Sequence, residues 1–412
     1  MAETVVILRI VPRIHSREFQ AQSVEICLHV SILFKYIKTG KYMKNIILLL
    51  GVFFLMSCSE KTKKQDFEEV WYFKEFDAQK LISECVDSVF YLPLQLNQDA
   101  MFRNIDKMVV ENDLVYIGDF RTRKIVAFNM KGEIQFVLNR LGSGAGEYQE
   151  IKSFTVMNES LYILDNYRRK VYIYDAFTGK YKDKKELPIV AWDIEALSDD
   201  RFLLAFVPIR QSLLAEEQDC NLVFLSDGDF KIIGKFLPFD EGYSEPYGFT
   251  RYFTTYGDSV FFTSYNFDGV TVFSKSKPGE HFQIGIEFKN KLSEAERLDA
   301  EKLEMSAANY LGSTPFFCGE YVALDMMEEG YGYTCMYNRE DSSFYSNPLE
   351  ENGDWFNALL SPIGSYKNLF ISEISDYGFY QDLVGSGFKK ADATVENHLK
   401  NGDCVLLFYA MK

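Results

Sequence analysis

The sequence predicts an all-β fold, a six-bladed β-propeller of four-stranded antiparallel blades, and three observations carry that expectation. One phrase recurs along the chain: an apolar strand, a polar turn, a second apolar strand. Its clearest copies are residues 114–128 (LVYIGDFRTRKIVAF) and 161–175 (LYILDNYRRKVYIYD), which share an Asp-x-(Arg/Tyr)-x-Arg-Lys turn. A single hairpin cannot bury both of its faces, so a recurring one implies stacked copies that share a core. Spacing is the second observation. Strand pairs begin near Leu114, Leu161, Phe202, Val260, Tyr321 and Leu369, at offsets of 47, 41, 58, 61 and 48 residues. Those intervals sit close to the roughly 40–50 residues of known propeller repeats, and six starts mean six blades. Composition is the third. The chain holds 26 Tyr, 36 Phe and 3 Trp, and aromatic residues suit a pleated, half-buried surface. Turn signals such as Lys131-Gly132, Thr178-Gly179, Asp227-Gly228 and Pro278-Gly279 punctuate the strands.

The elements follow in order. Residues 1–42 carry Arg9, Arg13, Arg17, Lys35, Lys38 and Lys41 without caps, repeats or blade pattern, as an upstream-assigned start codon would produce. From Met43, a Met-Lys-Asn head leads into the apolar run 46–56 and then Ser57-Cys58. A cationic head and a short apolar core read as a secretory signal, too short for a membrane-spanning helix. Leu55-Met56-Ser57-Cys58 resembles the lipobox of bacterial lipoproteins, which implies cleavage before Cys58 and its acylation; more than one acyl chain anchors stably. Were Met1 the true start, the same run would be an internal signal-anchor behind a basic cytoplasmic arm. Residues 59–80 read as a tether, and 81–412 as the propeller. The tether lacks the acidic run that resembles a surface-export signal, which favours an outer-membrane anchor facing the periplasm.

A propeller must lock its last blade to its first or leave an exposed edge. Residues 86–94 are therefore expected as the outer strand of the last blade, antiparallel to 405–411, with Cys85 opposite the end near Lys412 and not opposite Cys404. One strong helical stretch is expected at 292–311. It opens with the capping-box spacing Ser293–Glu296, and it reads as a decoration between blades four and five or as a lid.

Between the first two blades lies Leu141-Gly-Ser-Gly-Ala-Gly-Glu-Tyr-Gln-Glu-Ile151. Here the chain resembles the six-bladed β-propeller lipoproteins of Bacteroidetes (TolB-like or NHL-like propellers), whose first blades are joined by a G-x-G-P-G-E-Y segment; Ala145 replaces the usual proline. The resemblance runs from about Asp87 to Lys412 and implies a fold, hardly an activity. No helix follows the glycines to supply a phosphate-binding dipole, so they read as positions of permissive backbone.

Charge and composition then narrow the functions. Residues 1–58 hold seven Lys/Arg and three Asp/Glu, leaving 37 against 57, a net −20. So acidic a surface disfavours nucleic acid and leaves the lipid anchor as the membrane contact. Cys85, Cys220, Cys318, Cys335 and Cys404 make no C-x-x-C pair, and His281 and His398 lie far apart, so no metal site is expected. No G-x-S-x-G or Walker loop is present, and neither catalytic residues nor a cofactor are assigned. Asp119, Asp165, Asp268 and Asp325 recur near the ends of second strands. They either ring a channel mouth or bond the amides of their own turns.

Two functions stay open: a binding or scaffold module, taken as a monomer, for a protein, peptide or glycan, or a polymer-acting lyase or hydrolase in the channel. The scarcity of acid–base groups favours the first. Its candidate ligand residues are Arg121, Arg123, Tyr167, Arg168, Arg169, Tyr265 and Tyr331, expected on one face beside the 142–150 loop. Arg and Tyr give forked donors and flat contact area. The competing reading pairs each Arg with a neighbouring surface carboxylate.

Overall fold

A computed structural model describes residues 67–73, 82–208, 220–240, 243–249, 251–328, 331–346, 361–374 and 376–412. The chain enters as β1 (Glu69–Phe73), a short helix α1 (Ile82–Cys85) and β2 (Val86–Pro93). Blade I is β3 (Lys107–Glu111), β4 (Leu114–Asp119), β5 (Lys124–Asn129) and β6 (Ile134–Leu138). Blade II is β7 (Ser153–Met157), β8 (Ser160–Asp165), β9 (Lys170–Asp175) and β10 (Tyr181–Glu186); blade III is β11 (Asp193–Ser198), β12 (Arg201–Ala205), β13 (Asn221–Asp227) and β14 (Ile232–Pro238). Blade IV holds β15 (Phe253–Tyr256), β16 (Ser259–Phe262), β17 (Gly269–Ser274) and β18 (His281–Phe288). Two short helices, α2 (Glu294–Arg297) and α3 (Ala300–Glu304), lead to blade V. Its inner strand is broken into β19 (Tyr310–Leu311) and β20 (Phe316–Cys318), both paired to β21 (Tyr321–Glu328), followed by β22 (Tyr331–Asn338) and β23 (Phe344–Tyr345). Blade VI is β24 (Gly364–Tyr366), β25 (Leu369–Ile374), helices α4 (Tyr377–Gly385) and α5 (Ala393–Lys400), and β26 (Val405–Met411), completed by β2.

The six-bladed propeller is thus the fold, and its closure is the expected one. β2 runs antiparallel to β26, from Val86 opposite Met411 to Pro93 opposite Val405. Lys412 N donates to Cys85 O at 2.9 Å, and Cys85 and Cys404 are both free thiols. The six second strands begin within one residue of the starts read from the sequence. The reason is visible in β4. Leu114 and Tyr116 enter the core against blade II, while Val115 and Ile117 enter the core against blade VI. Alternate side chains face opposite neighbours, so a middle strand buried on both faces reads as an unbroken apolar run. Each of the six buried clusters fills one interface between adjacent blades.

Three elements differ from expectation. The single helix over 292–311 is two short turns, because Asp299 caps a second start at Glu301 and Lys302 and because Tyr310–Leu311 is strand; the Ser293–Glu296 capping box itself is present. Helices α4 and α5 escaped notice. The run Tyr-Gly-Phe-Tyr at 377–380 reads as strand by composition, yet Asp376 caps it as a helix that buries Phe379, Tyr380 and Leu383. Within the segment read as tether, β1 adds a fifth strand to blade IV, parallel to β18 from Glu69 opposite Ile284 to Phe73 opposite Phe288.

Candidate binding face

Each antiparallel step reverses the chain, so connections alternate between the two ends of the ring. First-to-second and third-to-fourth strand turns share one face and are short, the longest being 275–280. Several hold left-handed residues, Asn112, Asp113, Asn158, Asp200 and Lys367 among them, as tight hairpins require. Second-to-third turns and blade crossings share the opposite face. There lie 94–106, 139–152, 239–252, 289–309 and 375–404, the last carrying α4 and α5. Among the described residues, this loop face carries the longer connections.

Its sector over blades I and II is built by carboxylates that staple backbone. Asp119 accepts from Arg103 N (2.8 Å) and Thr122 N (2.9 Å), while Asp106 accepts from Phe120 N (2.7 Å). Blade II repeats the arrangement. Asp165 accepts from Gln149 N (2.8 Å) and Arg168 N (3.0 Å), and Glu150 from Tyr167 N (2.8 Å). These amide bonds hold the Asp119 carboxyl below its ordinary value, against the burial that would raise it. Tyr148 pins the crossing: its hydroxyl donates to Arg123 O (3.0 Å) and accepts from Arg140 N (3.2 Å). Gly146 takes φ +70°, and a Cβ there would meet the Tyr181 ring at 2.5 Å. The recurrent Asp of blades I and II is therefore a turn staple; Asp268 instead pairs with Arg297 of α2 (2.6 Å).

At the channel end of the same face, blades are joined by ionic contacts that sequence reading missed. Lys107, Ser153 and Asp193 are the first residues of three successive inner strands. Lys107 Nζ donates to Ser153 Oγ (3.2 Å) and Asp193 Oδ1 (2.9 Å) and lies 3.2 Å from Glu195 Oε2. Asp193 also accepts from Tyr252 N and Phe253 N, each at 3.0 Å, so blades I to IV meet on one carboxylate. Lys107 holds the Asp193 carboxyl below its ordinary value despite full burial, and the two anions hold Lys107 above its own. Across the ring, Arg251 Nη2 donates to Asp325 Oδ2 (2.6 Å), which also accepts from Ser313; Ser361 donates to Oδ1 (2.5 Å). The available signal was a polar residue at the head of consecutive inner strands, which a pattern keyed to second strands passes over.

Among the expected ligand residues, Arg121, Arg123 and Arg169 are exposed, and Tyr167 is 79% exposed. Arg168 is a clamp: it donates to Glu147 O (3.1 Å), the Tyr172 hydroxyl (3.2 Å) and Ser143 Oγ (3.0 Å), fastening the glycine loop. Tyr265 is buried against Phe249, ring centroids 4.5 Å apart. Tyr331 opens β22 opposite Glu328. Blades I and II thus bring five of the residues together, while Tyr265 and Tyr331 belong to blades IV and V. Cys58 lies outside the described residues. Near Tyr265, Glu245 is 2% exposed beneath Tyr243 and Tyr252, and burial pushes its carboxyl up to about 8. Among the described residues no group of three or more His, Cys, Asp or Glu is arranged to hold a metal.

Fold and face together define a six-bladed propeller with ionic contacts between blades at the heads of its inner strands and one elaborated face. The chain belongs to the family described as a domain of unknown function (DUF4934), whose model matches residues 73–400. Its fold is shared by a candidate exported protein of Bacteroides fragilis NCTC 9343, with 18% identity, a TM-score of 0.67, and coverage of 83% of this chain and 99% of that one. A member of the DUF4221 family from Bacteroides vulgatus ATCC 8482 is similar at 11% identity and TM-score 0.48, over 79% of this chain and 97% of that one. No curated protein sequence matches.

Proposed function

We propose that this protein is an exported, lipid-anchored binding scaffold that engages a protein, peptide or glycan through its loop face. The observation that carries the reading is the concentration of long connections on one face, above a channel end where Lys107 and Arg251 are paired with Asp193 and Asp325. Asp193 is occupied by a lysine, a serine and three main-chain amides. A general base needs a free lone pair within reach of substrate, and this carboxylate has none to offer. Glu245, whose raised pKa would suit a general acid, is buried beneath tyrosines, out of a polymer's reach. Binding therefore fits better than a channel-based lyase or hydrolase.

Anchoring rests on Cys58 and the apolar run before it, with the propeller on the periplasmic side of the outer membrane as a monomer. Among the described residues no helix is long and apolar enough to cross a membrane. Two measurements test the proposal. Cys58→Ala should move the protein out of the detergent-extracted membrane fraction; retention there without acylation overturns the anchor. A photo-crosslinking residue at Tyr167 should give discrete adducts in the producing cell's envelope, and one at Asn112 on the opposite face none. Equal labelling from both overturns the binding face.

A further inference from the structure

The sector over blades I and II carries five arginines whose side chains have no hydrogen-bond or ion-pair partner among the described residues: Arg103, Arg121, Arg123, Arg140 and Arg169. All five are exposed. Elsewhere the described guanidinium groups are engaged: Arg251 with Asp325, Arg297 with Asp268, Arg339 with Glu69, and Arg201 with Asp200 O. The contrast has a local cause. Asp106, Asp119, Glu150 and Asp165 of this sector are turned inward onto main-chain amides, while Asp99 stays exposed. Asp119 and Asp165 are fully buried in that role, and Glu147 accepts from Gly144 N (2.8 Å). Lysines of the sector are tied down as well: Lys124 donates to Asp99 O and Met101 O (2.6 and 2.9 Å), and Lys170 pairs with Glu186 (3.1 Å).

The five form one strip. Arg103 and the Arg121 turn meet at Asp119, Arg123 and Arg140 meet at the Tyr148 hydroxyl, and Arg168 ties the loop after Arg140 to the turn that bears Arg169. Set among them are exposed apolar groups: Tyr167, Met101 (61% exposed) and Leu141 (45%). Uncompensated like charges repel, on a chain that is net −16 overall. We propose that this strip is the docking surface for an acidic peptide segment, studded with apolar side chains, of a protein partner. The inference rests on the binding reading above and gives it a chemistry.

Charge complementarity decides the sign of the partner, since five forked cations favour carboxylates and repel basic chains. The apolar residues decide its class. Arg, Tyr and Met are the residues enriched at protein–protein interfaces, while Lys, Glu and Asp are depleted there. A purely anionic glycan would have no use for the aliphatic surface of Leu141 and Met101.

The test is a random dodecapeptide display selection against the purified full-length protein in detergent, followed by calorimetry with a synthetic winner. Enriched peptides should be acidic, with at least one aromatic or aliphatic residue. Arg121→Ala and Arg169→Ala should each weaken binding about tenfold with the melting temperature unchanged, and Arg121→Lys should weaken it less. Arg201→Ala on the opposite face should leave it unchanged. Raising salt from roughly 50 to 500 mM should weaken it by an order of magnitude. Neutral or basic winners overturn the proposal, as do winners that map elsewhere on the loop face and ignore the arginines; the general binding reading survives the latter. Winners that map to the opposite face overturn both. Arginine-dependent heparin binding without acidic winners assigns the strip to a glycan, and self-association abolished by Arg169→Ala assigns it to a second copy; either result overturns the peptide.

Discussion

Replacing Lys107 by methionine removes a cation that bridges blades I to III and leaves two carboxylates behind. Asp193 is buried and loses a 2.9 Å partner, and Glu195 loses one at 3.2 Å. Breaking a buried pair from one side costs about 3–5 kcal/mol. Asp193 keeps Ser153 and three main-chain amides and Glu195 keeps Thr155 (2.7 Å), which places the expectation near the lower end, about 3 kcal/mol. With an unfolding entropy of about 0.7 kcal/mol/K for a propeller of this length, the melting temperature should fall by about 4 °C. The pH profile makes the test specific. Asp193 is shifted down, so its contribution is present above the unfolded-chain value and is lost as pH falls through the folded one. Lys107 is shifted up, so its contribution is present below its unfolded value and is lost as pH rises through the folded one. The difference between wild type and Lys107→Met should therefore be flat from about pH 6 to pH 10. In acid it should shrink as the unpaired Asp193 of the variant takes up a proton. Urea denaturation at pH 4, 7 and 9 reads both quantities. A variant within about 1 kcal/mol of wild type at pH 7 would refute a structural role for the network.

Removing residues 403–412 deletes β26, the partner of both β25 and β2, and should abolish cooperative unfolding in calorimetry; a truncated chain melting at the wild-type temperature contradicts the closure. Gly146→Ala sets a Cβ at positive φ against Tyr181 and should destabilise by about 2 kcal/mol in urea titration, whereas Gly257→Ala, which meets no neighbour within 4 Å, should lose about 1 kcal/mol from backbone strain alone. For Glu245 the raised pKa means that stability is full below the unfolded value near 4.3 and is lost as pH rises toward about 8. Glu245→Gln should accordingly flatten the decline in melting temperature between pH 5 and pH 9, and an unchanged slope would show that the carboxyl ionises freely in the folded protein. Arg168→Ala releases the glycine loop and should speed proteolysis within 139–150, while Arg169→Ala should not.

How much of this was legible in the sequence follows from where its signal is strongest. Second and third strands are buried on both faces, so 114–128 and 161–175 announce themselves. Inner strands sit edge-on to the channel and mix Lys107, Thr155 and Glu195 with apolar residues, so they carry no clear period. The closing strand was readable because 86–94 is apolar and otherwise lacked a partner. Turn staples were readable as Asp at a fixed offset, though not the choice of amide across the blade crossing. Arg168 and Arg169 are adjacent and alike in sequence. Only backbone direction tells them apart: one turns in to the glycine loop and the other, at φ +53°, turns out.

The parallel clip of β1 onto blade IV has a consequence for posture. β18 rises from the short-turn face toward the loop face, and β1 rises with it, so the chain joins the ring at its short-turn end; Glu68 N already donates to Gln283 O (3.0 Å). β1 therefore begins on the plain face of the ring, and the arginine-bearing face lies at its far end, so a probe placed at Glu68 reports on the plain side.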